Sequence, residues 1–237
     1  MPVPAGLDDL ADLPDHRSSY TLGLRGTFVS EATTREIRLA SPGDAEAVRA
    51  IYAPYCTDTP ITFETEPPSL DEMRSRISHT LEALPWLVCT SGRDLLGYAY
   101  AAPFHARAAY RWSVEPTVYL RQDAHRAGIG TALYGTLLEL ITLLGFYNAY
   151  AGITLPNPAS VRLQERFGFE LVGIYKRVGF KLGAWHDVGR WALRLLSEPS
   201  DPSPPRRLEE VLASPEGLAA LEGGTRVLAR PAGTTST

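Results

Sequence analysis

Only two cysteines, Cys56 and Cys89, occur in the 237 residues, and neither has partners at metal-ligand spacing. A disulfide framework and a cysteine-based metal site are both excluded. No apolar run is long enough to span a bilayer. The opening stretch, MPVPAGLDDLADLPDHR, is acidic and has no apolar core, so it does not read as a signal peptide. Together these absences make a reducing cytoplasm the expected setting. Positive charge is also short: the net charge is −4 and the pI near 5.8, against the basic footprint that general nucleic-acid binding needs. Basic residues do gather at Arg121, Arg126, Arg162, Arg166, Lys176, Arg177 and Lys181, which read most simply as a solvated face.

The chain does have enough apolar residues, 44% of the total, for a substantial core. At this length one domain with extensions is expected, with the domain at 36–196. Residues 1–35 lack sustained periodicity and form an N-terminal extension; 197–237 form a Pro-rich linker and tail, with short helices at 208–221. Within the domain, strands are expected at 36–40, 86–90, 95–101, 113–120, 149–154, 169–175 and 188–195. Segment 180–187 joins the last two. Helices are expected after Ser41 to Asp44, over 69–84 behind the capping box Ser69-Leu-Asp-Glu72, after Gly130, and over 157–167. Hairpins early and a strand, helix, strand unit late predict an α/β (α+β) domain, a mixed, mostly antiparallel sheet flanked by helices.

Thr117 to Leu140 is the most informative stretch. An alternating strand turns through Arg126-Ala-Gly-Ile-Gly-Thr131 into a helix marked by Leu133, Leu137, Leu138 and Ile141. Two glycines at a helix start let backbone N–H groups approach an anion, and a diphosphate is the ligand they fit. A plain turn and cap is the alternative. No Gly-Lys-Ser/Thr follows, as a P-loop needs, and no third glycine with a later acidic residue completes a dinucleotide fingerprint.

His125-Arg-Ala-Gly-Ile-Gly130 resembles the Q/R-x-x-G-x-G/A loop of the GNAT acetyltransferases, which grips the diphosphate of acetyl-coenzyme A. Seven further stretches narrow the resemblance to phosphinothricin and methionine sulfoximine or sulfone acetyltransferases. They are Phe63-Glu-Thr-Glu-Pro67, Trp86-Leu-Val88, Ala108-Ala-Tyr110, Val118-Tyr119, Leu155-Pro-Asn157 with Ser160-Val-Arg162, Val178-Gly-Phe-Lys181, and Trp185-His-Asp-Val-Gly189. The resemblance spans about 36–195 and implies the GNAT fold, acetyl-coenzyme A as co-substrate, no metal, acetylation of the amine of a small amino-acid analogue, and a homodimer; acetylation of a protein or peptide amine and a non-catalytic coenzyme A binding module are the alternatives.

It also implies roles for particular residues. Glu115 stands where the family keeps its base, a strand-end salt bridge being the alternative. A carboxylate is intrinsically too acidic to hold an amine proton fully, so burial must raise its pKa or water must relay the proton. Backbone N–H groups of Val118, Tyr119 and Leu120 would face the thioester carbonyl. Arg126, Ala127, Gly128, Ile129, Gly130 and Thr131 would hold the diphosphate, and Asn157 and Ser160 the coenzyme arm, unless those two only cap a helix. Acceptor recognition falls on Phe63, His105, Arg107 and Tyr110, Arg107 offering a planar fork for a carboxylate or phosphinate. Five positions depart from the pattern, one of them His105, which stands where relatives can have Lys. Pro116 follows the base and suits a strand bulge, Gln164 stands where relatives have Tyr or His, His125 replaces Gln or Arg, and Arg190 replaces a hydrophobic residue. Glutamine cannot act as a general acid.

Overall fold

Apolar residues two apart, or three and four apart, account for most elements of the computed structural model, which describes residues 34–125 and 127–229. In chain order these are β1 (Arg35–Leu39), α1 (Ala45–Thr57), α2 (Leu70–Leu81), β2 (Trp86–Ser91), β3 (Asp94–Pro103) and β4 (Ser113–Leu120). They continue with α3 (Ile129–Leu143), β5 (Asn148–Leu155), α4 (Pro158–Arg166), β6 (Glu170–Lys181), β7 (Ala184–Arg194), α5 (Leu208–Leu212) and α6 (Pro215–Ala229). The expected N-terminal extension lies outside the described residues up to Thr33.

The seven strands form one sheet in the order β1-β2-β3-β4-β5-β7-β6, antiparallel everywhere except between β4 and β5. Strand alternation divides the core between its two faces. Trp86, Val88 and Tyr98 pack with Val48, Ile51, Met73 and Ile77 of α1 and α2, and Tyr100 and Tyr119 lie against that cluster. Leu87, Cys89, Ala99, Ala149, Ala151 and Trp191 face the other way, onto Leu133, Leu137 and Ile141 of α3. The parity puts Glu115 and Thr117 on the α1–α2 face, with Tyr119, and Val118 and Leu120 on the α3 face.

Three expectations need correction. Segment 180–187 is the tip of a hairpin, because Leu182 and Gly183 both take positive φ and close β6 on β7 two residues apart. Leu-Gly is a weaker written signal for such a turn than Asn-Gly, so the strands looked shorter than they are. The bulge expected at Pro116 is absent: the β3–β4 register runs unbroken from Gly97–Leu120 to Pro103–Val114. Finally, the C-terminal stretch holds more helix than 208–221, and it is packed. Leu208, Val211, Ala220 and Leu228 join the core, and Thr225 Oγ1 accepts a hydrogen bond from the Ile37 N–H at 3.0 Å. Helix α6 thereby covers the edge strand β1, whose free amides would otherwise invite another strand.

Candidate active site

Strands β4 and β5 pair only at Ser113–Asn148 and Val114–Ala149. Beyond these two pairs they have no shared ladder, and β4 keeps an unpaired edge. Which amides lie on that edge follows from two bonds to the β3 side: Arg121 N–H to Leu96 O at 2.9 Å and Phe104 N–H to Ser113 O at 3.1 Å. In an antiparallel ladder these fix the odd-numbered residues of β4 as those bonded to β3, and turn Pro116, Val118 and Leu120 toward β5. Pro116 lacks an N–H and is tolerated in a central strand because its side of the strand has no partner there. Of the three amides expected to face a thioester carbonyl, Val118 and Leu120 do present theirs to the gap. The Tyr119 amide is committed to β3.

A cavity of about 210 Å³ occupies this gap, lined by Glu115, Thr117, Val118, Tyr119, Gly152 and Thr154 of the two strands, Ile61 from the α1–α2 loop, and Asn157, Ser160 and Gln164 of α4. Its lining comes from both faces of the sheet, Glu115, Gly152 and Thr154 from one and Val118, Ile153 and Leu163 from the other. The cavity therefore passes through the sheet. Asn157 caps α4, its Oδ1 accepting from the Ser160 N–H at 3.1 Å, so the capping role holds while both residues also line the gap. Gln164 is buried and accepts a hydrogen bond from the Tyr134 hydroxyl at 2.8 Å. Burial pushes that phenol above its usual range, and it had no signal in the sequence beyond its place on an apolar helix.

Glu115 is not alone. Arg190 on β7 donates from Nη1 to Glu115 Oε1, although β5 lies between their strands. The residue they cross is Gly152, paired with Arg190 in the β5–β7 register. A Cβ there would stand 2.7 Å from Arg190 Nη1 and 3.7 Å from Glu115 Oε1, so any other residue would push the guanidinium out of its present place. The guanidinium carbon also lies 6.0 Å from the centroid of the Phe104 ring, which stacks on Tyr150 at 4.3 Å. Both charged side chains are about one third exposed. Arg190 was visible in the sequence as an unusual residue; its partner was not, since 75 positions separate the two.

At the far end of β4, Gly128 takes φ +77° as the N-cap of α3. A side chain rarely adopts that backbone, and the turn leaves the amides of Ile129, Gly130 and Thr131 without intrahelical acceptors. Leu120 packs beside Gly130, joining the helix start to the open strand edge. Ala127 accepts through its carbonyl from Arg35 at 3.3 Å, and His125 lies 3.4 Å from the Tyr55 hydroxyl. Arg126 lies outside the described residues.

The four expected recognition residues are not brought together. His105, Arg107 and Tyr110 line a separate cavity of about 510 Å³ with Glu82, Arg111, Arg206 and Arg207, at the end of the sheet where β4 begins. Phe63 instead packs on Gly179 of β6, with the His186 ring 6.4 Å away. Its loop is held by Lys181, 4% exposed, whose ammonium donates to the carbonyls of Tyr55, Thr62 and Glu64 at 3.2, 2.7 and 2.8 Å. In the sequence Lys181 was one more basic residue. Its role depends on a loop over a hundred positions earlier, which no local pattern reports.

A family model described as an acetyltransferase (GNAT) domain matches residues 37–189. The phosphinothricin N-acetyltransferase of Streptomyces viridochromogenes is 39% identical over 176 residues, covering 74% of this chain and 96% of its own. The L-methionine sulfoximine/L-methionine sulfone acetyltransferase of Pseudomonas paraeruginosa is 30% identical over 161 residues, 67% of this chain and 94% of its own. Among solved structures, the GNAT superfamily phosphinothricin acetyltransferase of Sinorhizobium meliloti, in complex with acetyl-coenzyme A, superposes with a TM-score of 0.68 at 36% identity. It covers 72% of this chain and 93% of that one.

Proposed function

The chain belongs to the GNAT acetyltransferase family, and on that premise we propose that it moves an acetyl group from acetyl-coenzyme A to the amine of a small amino-acid analogue of the phosphinothricin or methionine sulfoximine type. The observation that carries this reading is the gap between β4 and β5, lined by a carboxylate, Glu115, and bordered by the open β4 edge whose last residue, Leu120, packs beside Gly130 at the start of α3. The relatives' named substrates support the acceptor class. A gap of about 210 Å³ suits an amine and an acyl group rather than a folded protein segment.

Acetyl-coenzyme A, when bound, supplies an activated acyl group. The amides of Ile129, Gly130 and Thr131 suit its diphosphate, aided by the helix dipole of α3. Glu115 takes the ammonium proton of the acceptor, directly or through one water, so that the nitrogen carries a free pair. Val118 and Leu120 direct their N–H groups toward the site where a carbonyl oxygen accumulates charge. Gln164 can hold a hydrogen bond at the gap but cannot deliver a proton, which leaves thiolate protonation to water.

A homodimer fits the hairpin. Leu171, Val172, Ile174, Tyr175, Val178, Phe180 and Trp185 on the paired strands β6 and β7 are all exposed, apolar surface of the kind that a second copy of the chain would cover. The cytoplasm is the matching compartment, where Cys56 and Cys89 stay reduced.

Thiol release from acetyl-coenzyme A, measured with a panel of free amino-acid analogues and peptides, tests the reading. Turnover with the small acceptors and a fall in kcat of about 10²-fold or more in Glu115→Gln are expected. Peptide-only turnover would replace the acceptor class, and full activity in Glu115→Gln would remove the base.

A further inference from the structure

We infer that Arg190 is a specificity-determining residue that selects acceptors carrying a carboxylate next to the amine. An α-amino acid presents an ammonium and a carboxylate a few ångströms apart. On the α1–α2 face of the gap, Glu115 and Arg190 present the complementary charges in contact with each other. In the free protein each satisfies the other. When the zwitterion enters, its ammonium takes the Glu115 carboxylate and its carboxylate takes the Arg190 fork, so one ion pair becomes two and no charge is left unpaired.

The surroundings of Arg190 are arranged for a group that must be reached from the gap. Gly152 removes the side chain that would screen the guanidinium, and the same glycine lines the cavity. Phe104, backed by Tyr150, lies beside the guanidinium, so the cation keeps its place when Glu115 turns to the amine. The Glu115 bond runs from Nη1, and a guanidinium has four further N–H donors for a bidentate carboxylate. Two other cations, Arg107 and Lys181, are placed elsewhere. Arg107 lines the separate cavity at the start of β4, and the Lys181 ammonium is committed to three carbonyls.

The inference rests on Glu115 serving the amine, and the test separates the two. Coenzyme A release is followed with a turned-over α-amino acid and with its α-carboxamide, for the unaltered protein, Arg190→Lys and Arg190→Leu. The carboxamide has the less basic amine, so the ratio of kcat/KM between the two acceptors is compared across proteins, not between acceptors. The acid-to-amide ratio should fall roughly 100-fold in Arg190→Leu, mostly through KM for the acid, and by less in Arg190→Lys, which keeps the charge but not the fork. Should Arg190→Leu fail to fold, Arg190→Lys alone still decides, through a ratio that drops or does not. An unchanged ratio with kcat lowered equally for both acceptors would reduce Arg190 to a support for Glu115 and overturn the inference. If the unaltered protein turns over no free amino acid but does turn over peptides, the acceptor class itself fails, and Arg190 loses this role with it.

Discussion

Lys181, near the tip of β6, buries its ammonium 2.7 Å from the carbonyl oxygen of Thr62 and so ties the apolar hairpin to the loop that walls the gap with Ile61. The charge is balanced by backbone carbonyls rather than by a carboxylate, and burial lowers the lysine's pKa below its ordinary value. Lys181→Met should therefore leave three carbonyls without their donor, at a cost of about 1–3 kcal/mol, partly offset by the lost burial of charge. A lower urea midpoint is expected. The KM for the acceptor should rise several-fold while that for acetyl-coenzyme A moves less, because two of the three carbonyls that Lys181 holds, Thr62 and Glu64, belong to the loop beside the gap.

Gly152→Ala places a methyl carbon 2.7 Å from Arg190 Nη1, closer than a Cβ tolerates. Since β5 is bonded to β7 along its whole length, the backbone cannot yield and the arginine must move. Acceptor kcat/KM should drop about tenfold or more, with a stability loss of about 1–3 kcal/mol from overpacking. Steady-state kinetics and thermal melting check both, and a variant that keeps full activity would show the ion pair to be irrelevant to turnover.

Gly128→Val forces a β-branched side chain into φ +77°, although no heavy atom within 4 Å would block a Cβ. The penalty is purely conformational, about 1–2 kcal/mol or more. Relief by unwinding the start of α3 would misplace the amides of its first turn. Calorimetric titration should show acetyl-coenzyme A binding weakened by about tenfold or more, with the acceptor's KM less affected.

Alkaline pH should destabilise the fold. Burial raises the pKa of Tyr52, Tyr55, Tyr98, Tyr100, Tyr119 and Tyr134. A raised folded-state value means that stability is fully present below the unfolded tyrosine value of about 10, and is lost as pH climbs through it toward the folded value. Lys181 acts in the opposite sense, since its lowered value makes stability rise toward pH 10.5, but one lysine faces six tyrosines. Urea midpoints between pH 9 and 11 should fall, each tyrosine adding up to about 1.4 kcal/mol per pH unit once the unfolded chain ionises. A flat profile would refute the assignment.

Val172→Asp combined with Trp185→Lys puts opposite charges into the exposed apolar hairpin, where both native side chains are more than half exposed. Sedimentation should shift from dimer to monomer, with melting of the isolated chain changed little, because neither side chain is in the core. Retention of a dimer would place the interface on another surface.

Glu115 as base was implied only by the family resemblance, whereas strand alternation, helix periodicity and the two loop glycines determined, from the sequence alone, the strands, the helices and the helix start at Gly128. Each depends on neighbours within one turn or one strand, and local spacing reports such neighbours directly. Only the tertiary structure decided that Pro116 falls on an unpaired edge rather than in a bulge, that Arg190 reaches Glu115 over Gly152, and that Phe63 parts from His105, Arg107 and Tyr110. It also decided that α6 closes over β1. These relations are fixed by strand order and register, which bring together residues up to 188 positions apart. A residue's own neighbours along the chain hold no record of the partner that the sheet will set beside it.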